Sequence, residues 1–162
     1  NSGRPCQRIG TDADIVNSMI TEGCQVDGTV KNSILFPGVV VEKGATVEAA
    51  VVMGGTVIKA GAKVEHCIVA ENVTIEEGAT VGKMPESGLN ITEPGDVATV
   101  GSGVKIGKGA TVENCILMQD SEVMDNCLAE NVIFDKEVIL RNGKKLVGQK
   151  TYPMVIEKKT II

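Results

Sequence analysis

Tryptophan is absent from this sequence, and there is one tyrosine, two phenylalanines and one histidine. With 43% of residues apolar but only 2% aromatic, any core must be filled by aliphatic side chains, an unusual balance for a globular domain. The lone histidine, His66, cannot assemble a three-histidine metal centre within a subunit. Long apolar runs are missing too: nothing approaches the roughly 18–20 uninterrupted apolar residues of a membrane-spanning helix. Asn1-Ser2-Gly3-Arg4 is not followed by the apolar stretch of a signal peptide. A cytoplasmic location is expected, with no membrane partner. Positive charge is in deficit, 16 Lys and Arg against 21 Asp and Glu, a formal −5. That is the wrong sign for gathering phosphates by counterion release, so no nucleic-acid partner is expected.

The five cysteines, Cys6, Cys24, Cys67, Cys115 and Cys127, are odd in number, scattered, and never in a C-x-x-C pair. They suggest neither a disulfide framework nor a zinc knuckle. Cys67, Cys115 and Cys127 precede aliphatic residues at comparable places, which suits thiols packed inside as small, weakly polar groups.

What the sequence has in abundance is repetition. Val41-Glu42-Lys43-Gly44-Ala45-Thr46-Val47 returns as Ile75-Glu76-Glu77-Gly78-Ala79-Thr80-Val81 and as Ile106-Gly107-Lys108-Gly109-Ala110-Thr111-Val112. Ile58-Lys59-Ala60-Gly61-Ala62-Lys63-Val64 is a looser copy. A second phrase, Asn followed by a small residue, recurs at Asn17-Ser18, Asn32-Ser33, Asn114-Cys115 and Asn126-Cys127, and marks a different corner. A third pairs Ala70-Glu71-Asn72-Val73 with Ala129-Glu130-Asn131-Val132. Aliphatic residues six apart do not trace one stripe of an amphipathic helix, and the dense Gly and Val disfavour helix on propensity. Six does suit a short strand and a tight corner: one aliphatic residue points in, its neighbours point out, and Gly, Asn or Asp takes the left-handed backbone at the turn. Three such sides close a coil, and coils stack at the inter-strand spacing of roughly 4.8 Å. The expected fold is all-β, a parallel β-helix of hexapeptide repeats with a thin aliphatic core.

The expected organisation is a connector over 1–8, the β-helix over 9–140 with a loop at 83–96, and a terminal turn with an end-coil strand over 141–162. The loop has two prolines, Pro85 and Pro94, and no six-residue register. In the last segment, Pro153 before Met154-Val155-Ile156 and Lys158 and Lys159 after it discourage edge-to-edge pairing.

Chemistry is sparse. His66, in Val64-Glu65-His66-Cys67-Ile68, stands where the corner phrase elsewhere has Asn, and is expected at a solvated turn. The competing role is general base of a hexapeptide acyltransferase. Glu76, Glu77, Asp12, Asp14 and Asp125 fall on outward or turn positions. Gly101-Ser102-Gly103 lies inside the repeat and opens no helix, so it is no dinucleotide fingerprint. Arg141, Lys144, Lys145 and Lys150, beside two glycines near the end, form a cationic cluster that could hold an anionic metabolite. No catalytic residues and no metal ligands are assigned.

Over almost its whole length the chain resembles the C-terminal domain of bacterial glucose-1-phosphate adenylyltransferase. The most specific stretches are Asn17-Ser18-Met19-Ile20-Thr21-Glu22-Gly23-Cys24, Gly28 through Val39 with its Phe36-Pro37-Gly38, and Val51-Val52-Met53. The resemblance implies left-handed coils, although crossovers between parallel strands are normally right-handed. It also implies a non-catalytic regulatory and oligomerisation domain of a nucleotidyltransferase. The N-terminal domain of that family joins ATP, with Mg, to glucose 1-phosphate, giving ADP-glucose and pyrophosphate for glycogen synthesis. Its Gly-rich, Arg-containing nucleotide loop is absent here, and the chain opens on Asn1 rather than Met, so an excised domain with no cofactor of its own is expected. Implied partners are its own N-terminal domain, a tetramer of like or related subunits, and a sugar-phosphate effector. Ser87-Gly88-Leu89-Asn90-Ile91-Thr92 resembles catalytic subunits, whereas the ending Leu146 to Lys158 resembles accessory ones, which leaves subunit type open.

Overall fold

The computed structural model describes residues 3–86 and 97–162. Among them every regular element is a strand, 24 in all, two or three residues long. The strands fall into three eight-stranded parallel sheets, each taking every third strand in order. The chain is a left-handed parallel β-helix of hexapeptide repeats with about eight turns. Arg8–Ile9 begins the first face, Asp14–Val16 the second and Met19–Ile20 the third. Lys145–Val147 and Met154–Ile156 are the eighth rungs of the second and third faces, so the expected terminal segment continues the ladder.

Period six is an average over unequal sides. Inward residues step from Val41 to Val47, then Val52, Ile58, Val64, Val69 and Ile75, every one of them fully buried. The advance is six into the second face, five into the third, and six back to the first. A coil is therefore seventeen residues, as the pairing of Val40 with Val57 and of Val57 with Thr74 shows. The short side turns on one left-handed residue: Asn17, Asn32, Ala49, His66, Asn114 and Asn131 all have φ between 45° and 53°. Asparagine suits that place because its short polar side chain makes the left-handed region less costly than for other residues with a Cβ. It also reaches the next coil, since Asn17 Nδ2 donates to Asn32 Oδ1 at 2.9 Å and Asn114 Nδ2 to Asn131 Oδ1 at 2.6 Å.

The structure corrects two groupings made from sequence. Asn126 (φ 57°) belongs to the first-to-second corner with Gly44, Gly61, Gly78, Gly109 and Gly143, not to the asparagine column. Cys127 accordingly extends the alanine column of Gly-Ala-Thr-Val: Thr111 N–H donates to its carbonyl as Thr80 N–H does to that of Ala110. Cys67 and Cys115 lie at the other corner, stacked through Ala98. Asn72 and Asn131, from the matched phrases, also turn different corners, the first between the third face and the first. Local phrases repeat because all three corners take a left-handed residue, and only stacking distinguishes them.

Three coils depart from seventeen at a corner, the last by pairing Val132 with Met154, twenty-two positions on, around the longer turn between Lys145–Val147 and Met154–Ile156. Thr74 pairs with Lys105, thirty-one positions on, an insertion of fourteen residues between Thr80–Val81 and Ala98–Val100. Residues 83–86 carry no strand, and the rest of the expected loop, 87–96, lies outside the described residues. The second coil is shortened instead: it passes from Val26 to Thr29 through Asp27 and Gly28 alone, where the next coil uses Glu42 to Ala45. A Cβ on Gly28 would come within 2.7 Å of the Glu42 carbonyl oxygen, so the shortcut needs glycine.

Core volume is balanced coil by coil. Most coils bring in three mid-sized aliphatics; the seventh combines Val123, small Ala129 and Phe134, all fully buried. Ile106 lies between Ile75 and Val123 on the first face. Its replacement by alanine should cost about 2–5 kcal/mol. Lys108, exposed and 3.5 Å from Glu77, should lose well under 1 kcal/mol on the same change. Urea titration of the two variants checks the contrast, and equal small losses would mean the register is wrong.

Candidate functional site

His66 is a corner residue, as expected, with φ 46°, but the corner is not solvated. The residue is 4% exposed, and neither Nδ1 nor Nε2 of its buried ring has a hydrogen-bond partner among the described residues. It occupies the asparagine column between Ala49 and the start of the insertion, two residues from Val64, whose partner strand ends at Val81. A buried imidazole without partners pays the desolvation of its polar atoms, about 1–3 kcal/mol. His66→Asn, matching the column's preferred residue, should therefore raise stability by about 1–2 kcal/mol. A thermal or urea midpoint equal to or below wild type would show that the ring is satisfied after all. As a general base His66 lacks exposure: an acceptor hydroxyl must reach hydrogen-bond distance of the ring.

The thiols divide as the composition suggests. Cys24, Cys67, Cys115 and Cys127 are buried and Cys6 exposed, with no disulfide. Each buried sulfur donates to a carbonyl where geometry permits: Cys24 to Phe36 at 3.2 Å, Cys115 to Glu113 at 3.1 Å and Cys127 to Arg141 at 3.0 Å. Burial pushes the Cys67 thiol from 9.0 up to about 12, with nearby Glu65 adding to the rise. Burial likewise takes Cys115 to about 11. The folded chain thus holds these protons where the unfolded chain releases them. Their stabilisation is complete below pH 9.0 and falls as pH rises toward about 12 for Cys67. Urea midpoints should drop above pH 9.0, less steeply in Cys67→Ala, and a thiol reagent should label only Cys6 rapidly in the native chain.

The carboxylates singled out by sequence lie outside the core, most of them in ion pairs. Lys43 Nζ meets Asp12 at 3.0 Å across the shortened second coil, and Lys59 meets Glu76 at 2.9 Å. Hydrogen bonds to these carboxylates raise both lysines above the usual value. Asp14 is 3.9 Å from Lys31, and Asp125 accepts from the Lys108 amide at 2.8 Å. Among the described residues no group of three His, Cys, Asp or Glu side chains is placed to hold a metal ion.

The cationic cluster is split. Arg141, Lys144 and Lys145 share the turn leading into the last strand of the second face, where the Lys144 amide donates to the Arg141 carbonyl at 3.2 Å. Lys150 lies at the following corner, in a short turn closed by the bridge between Gln149 and Tyr152. All four are exposed.

Two surface features escaped the sequence reading. One is a groove of about 530 Å³ lined by Arg4, Glu22, Phe36, Pro37, Met53 and Glu71, among others, around the residues that carry the family resemblance. The other is the outward side of the third face. Met19, Ile34, Val51, Ile68, Thr99, Ile116, Ile133 and Val155 pair in register down its whole length, with no charge at any level. A signal was present: doublets such as Ile34-Leu35, Val51-Val52, Ile68-Val69 and Ile116-Leu117, of which alternation can bury only one member.

Fold and corners together define a hexapeptide-repeat β-helix domain. The model of the family described as GlmU-like, C-terminal hexapeptide matches residues 6–95 and 87–151. The chain belongs to that family. Among curated proteins, glucose-1-phosphate adenylyltransferase of Clostridium botulinum is 58% identical over 43 residues, 26% of this chain and 11% of that protein. The Geobacillus stearothermophilus protein of the same name is 47% identical over 45 residues, 28% of this chain and 12% of its own. The matches thus span about a tenth of these relatives' length. Among solved structures, the acetyltransferase domain of PglB from Neisseria gonorrhoeae superposes with TM-score 0.57 at 17% identity, covering 91% of this chain and 57% of that one. UDP-N-acetylglucosamine acyltransferase of Francisella novicida gives TM-score 0.54 at 13% identity, covering 86% and 60%. At these identities the likeness is one of fold. Among the described residues no helix is long and apolar enough to cross a membrane.

Proposed function

We propose that this chain is the regulatory and assembly domain of a cytoplasmic glucose-1-phosphate adenylyltransferase. The observation that supports it most is the 58% identity to the C. botulinum enzyme over 43 residues, well above what shared hexapeptides bring to fold neighbours at 17%. An N-terminal nucleotidyltransferase domain would carry the chemistry, joining ATP with Mg to glucose 1-phosphate and releasing pyrophosphate. The β-helix would brace that domain, join subunits, and pass on the state of an effector site. Arg141, Lys144 and Lys145, cations on one exposed turn, are the proposed anchor for a sugar phosphate, with Lys150 at the next corner as an outer contact. An anion there is favoured by three charges with no described ion pair to break.

The test is ADP-glucose synthesis by the enzyme carrying this domain, titrated with fructose 1,6-bisphosphate. Arg141→Gln, Lys144→Gln and Lys145→Gln together should shift half-activation at least about tenfold, the loss of about 1.4 kcal/mol of binding. Unchanged activation moves the effector elsewhere. Acetyl-CoA binding in a calorimeter that vanishes in His66→Ala would replace the proposal with an acyltransferase.

A further inference from the structure

The first coil, residues 5–20, is held differently from the coils above it. Arg8–Ile9, Asp14–Val16 and Met19–Ile20 are the end strands of their three sheets, so this coil bonds to a neighbour on one side only. Its inward residues fill little core. Ile9 is 46% exposed and Ile15 and Ile20 are half-buried, whereas Val26, Val30 and Leu35 of the next coil are fully buried. Its first corner also lacks support. The shortened second coil leaves Thr11 and Asp12 beside a notch of about 340 Å³ bounded by Asp27, Glu42, Lys43 and Ala60. Higher up, the same corner is tied by a main-chain bond between coils, Gly78 N–H to the Ala60 carbonyl at 3.2 Å and Asn126 N–H to that of Lys108 at 2.8 Å. With Asp27 and Gly28 alone, the second coil has no residue to make that bond. Charge takes its place. Arg8, Asp12 and Asp14 are the charged side chains between Pro5 and Ile20. Each pairs with a later coil: Arg8 with Asp27, Asp14 with Lys31 at 3.9 Å, and Asp12, across the notch, with Lys43 at 3.0 Å.

We infer that the first coil is a clasp released by salt: it opens as a unit while the later coils stay wound, and its opening uncovers the Cys24 thiol. In a stacked-coil fold each coil is stabilised by its neighbours alone. An end coil can therefore open by itself, and the one with the least burial opens first. Exposed ion pairs hold this coil at low ionic strength and are screened as the Debye length falls from about 10 Å at 0.1 M salt to about 3 Å at 1 M. The aliphatic rungs above carry no charge for salt to screen. Cys24 lies next to the clasp. Its carbonyl accepts from the Arg8 N–H at 2.8 Å, and the neighbouring Gly23 N–H donates to the Pro5 carbonyl at 2.8 Å. Its sulfur, fully buried, donates to the Phe36 carbonyl at 3.2 Å in the coil above. Opening the clasp removes the coil on the other side of that residue. Cys67, Cys115 and Cys127, buried at corners at least two coils further on, stay enclosed. This inference goes beyond the proposed function and uses no part of it.

The experiment is alkylation of the 162-residue chain by iodoacetamide, an uncharged reagent, in a Cys6→Ser background that removes the exposed thiol. It is run at one pH in about 0.05 M and about 1 M KCl, and each cysteine is followed by mass spectrometry of its peptide. Cys24 should react at least about tenfold faster than Cys67, Cys115 and Cys127, and at least about threefold faster at the higher salt than at the lower. Lys43→Gln and Asp14→Asn break different pairs, so that one variant failing to fold leaves the other. Each should raise the Cys24 rate at low salt and shrink its response to KCl. Circular dichroism at both salts checks that the remaining coils are wound. Hydrogen exchange reads the same opening without a thiol: the amides of Arg8, Gly10, Asp14 and Met19 should exchange ahead of those of Gln25, Val40 and Thr46, and faster in KCl. Cys24 reacting in step with the other three buried thiols overturns the inference, since the first coil then opens only with the whole fold. A Cys24 rate indifferent to salt, or to both substitutions, overturns it as well, because charge is then not what holds the coil.

Discussion

Replacing Phe134 by alanine should cost about 3–5 kcal/mol, among the largest losses for a single side chain in this core. The ring is fully buried in a coil whose other inward residues are Val123 and the small Ala129. Elsewhere a coil divides its volume among three aliphatics, so the loss of one leaves two to lean inward. Here one face supplies the bulk for two, and its removal leaves alanine on adjacent sides of the prism. The coils above and below cannot collapse into the gap, because each is fixed by main-chain bonds on three faces: Met118 N–H donates to the Phe134 carbonyl at 2.9 Å, and Asp135 N–H to that of Ile156 at 3.0 Å. Urea unfolding of Phe134→Ala and of the double variant Phe134→Ala/Ala129→Leu separates cavity from chemistry. The second should recover part of the loss, since the two positions share one space. A loss below about 1 kcal/mol in the single variant would mean that the ring does not fill the coil.

Gly82→Ala should be comparably damaging, about 3–5 kcal/mol, for a steric reason. Gly82 has φ 78° and follows Val81 at the point where the chain leaves the ladder. Lys31, Glu48, Glu65, Glu113 and Glu130 continue the strand at the matching place in other coils. A Cβ at Gly82 would fall 1.8 Å from the Glu65 carbonyl oxygen of the coil beneath, so one coil must shift. The left-handed backbone adds about 1–2 kcal/mol for any residue with a Cβ, and the displaced coil supplies the rest. Gly78→Ala is the control: φ is 67° there, but nothing stands within 4 Å of the added atom. It should lose only the backbone part, about 1–2 kcal/mol. Equal losses at the two glycines would remove the clash as the cause.

Both variants probe what was partly legible in the sequence. Val47, Ile75, Ile106 and Val112 face inward as the repeat requires, because in a coil this narrow every second residue of a short strand must be apolar. The left-handed corners were equally legible as glycine and asparagine, residues chosen for backbone conformation. The short third side was not. It removes one residue per coil, so a strict six drifts out of register with the stacking, while Asn126 and Cys127 were grouped with the wrong column because their own corner also takes a left-handed residue. The split of the cationic cluster has a different origin: the lengthened turn at Gln149–Tyr152 separates Lys150 from Lys145 by one corner, and nothing in the spacing of lysines encodes a corner.

By itself, then, the sequence determined the strand period, the aliphatic core and the residues that turn the chain, all of which depend on neighbours a few positions apart. Tertiary structure alone decided which member of each aliphatic doublet meets water, that His66 is enclosed, and that eight uncharged positions fifteen or more residues apart line up on one face. These depend on the register between coils, set when the main chain of one coil pairs with the next, and no local pattern carries that information.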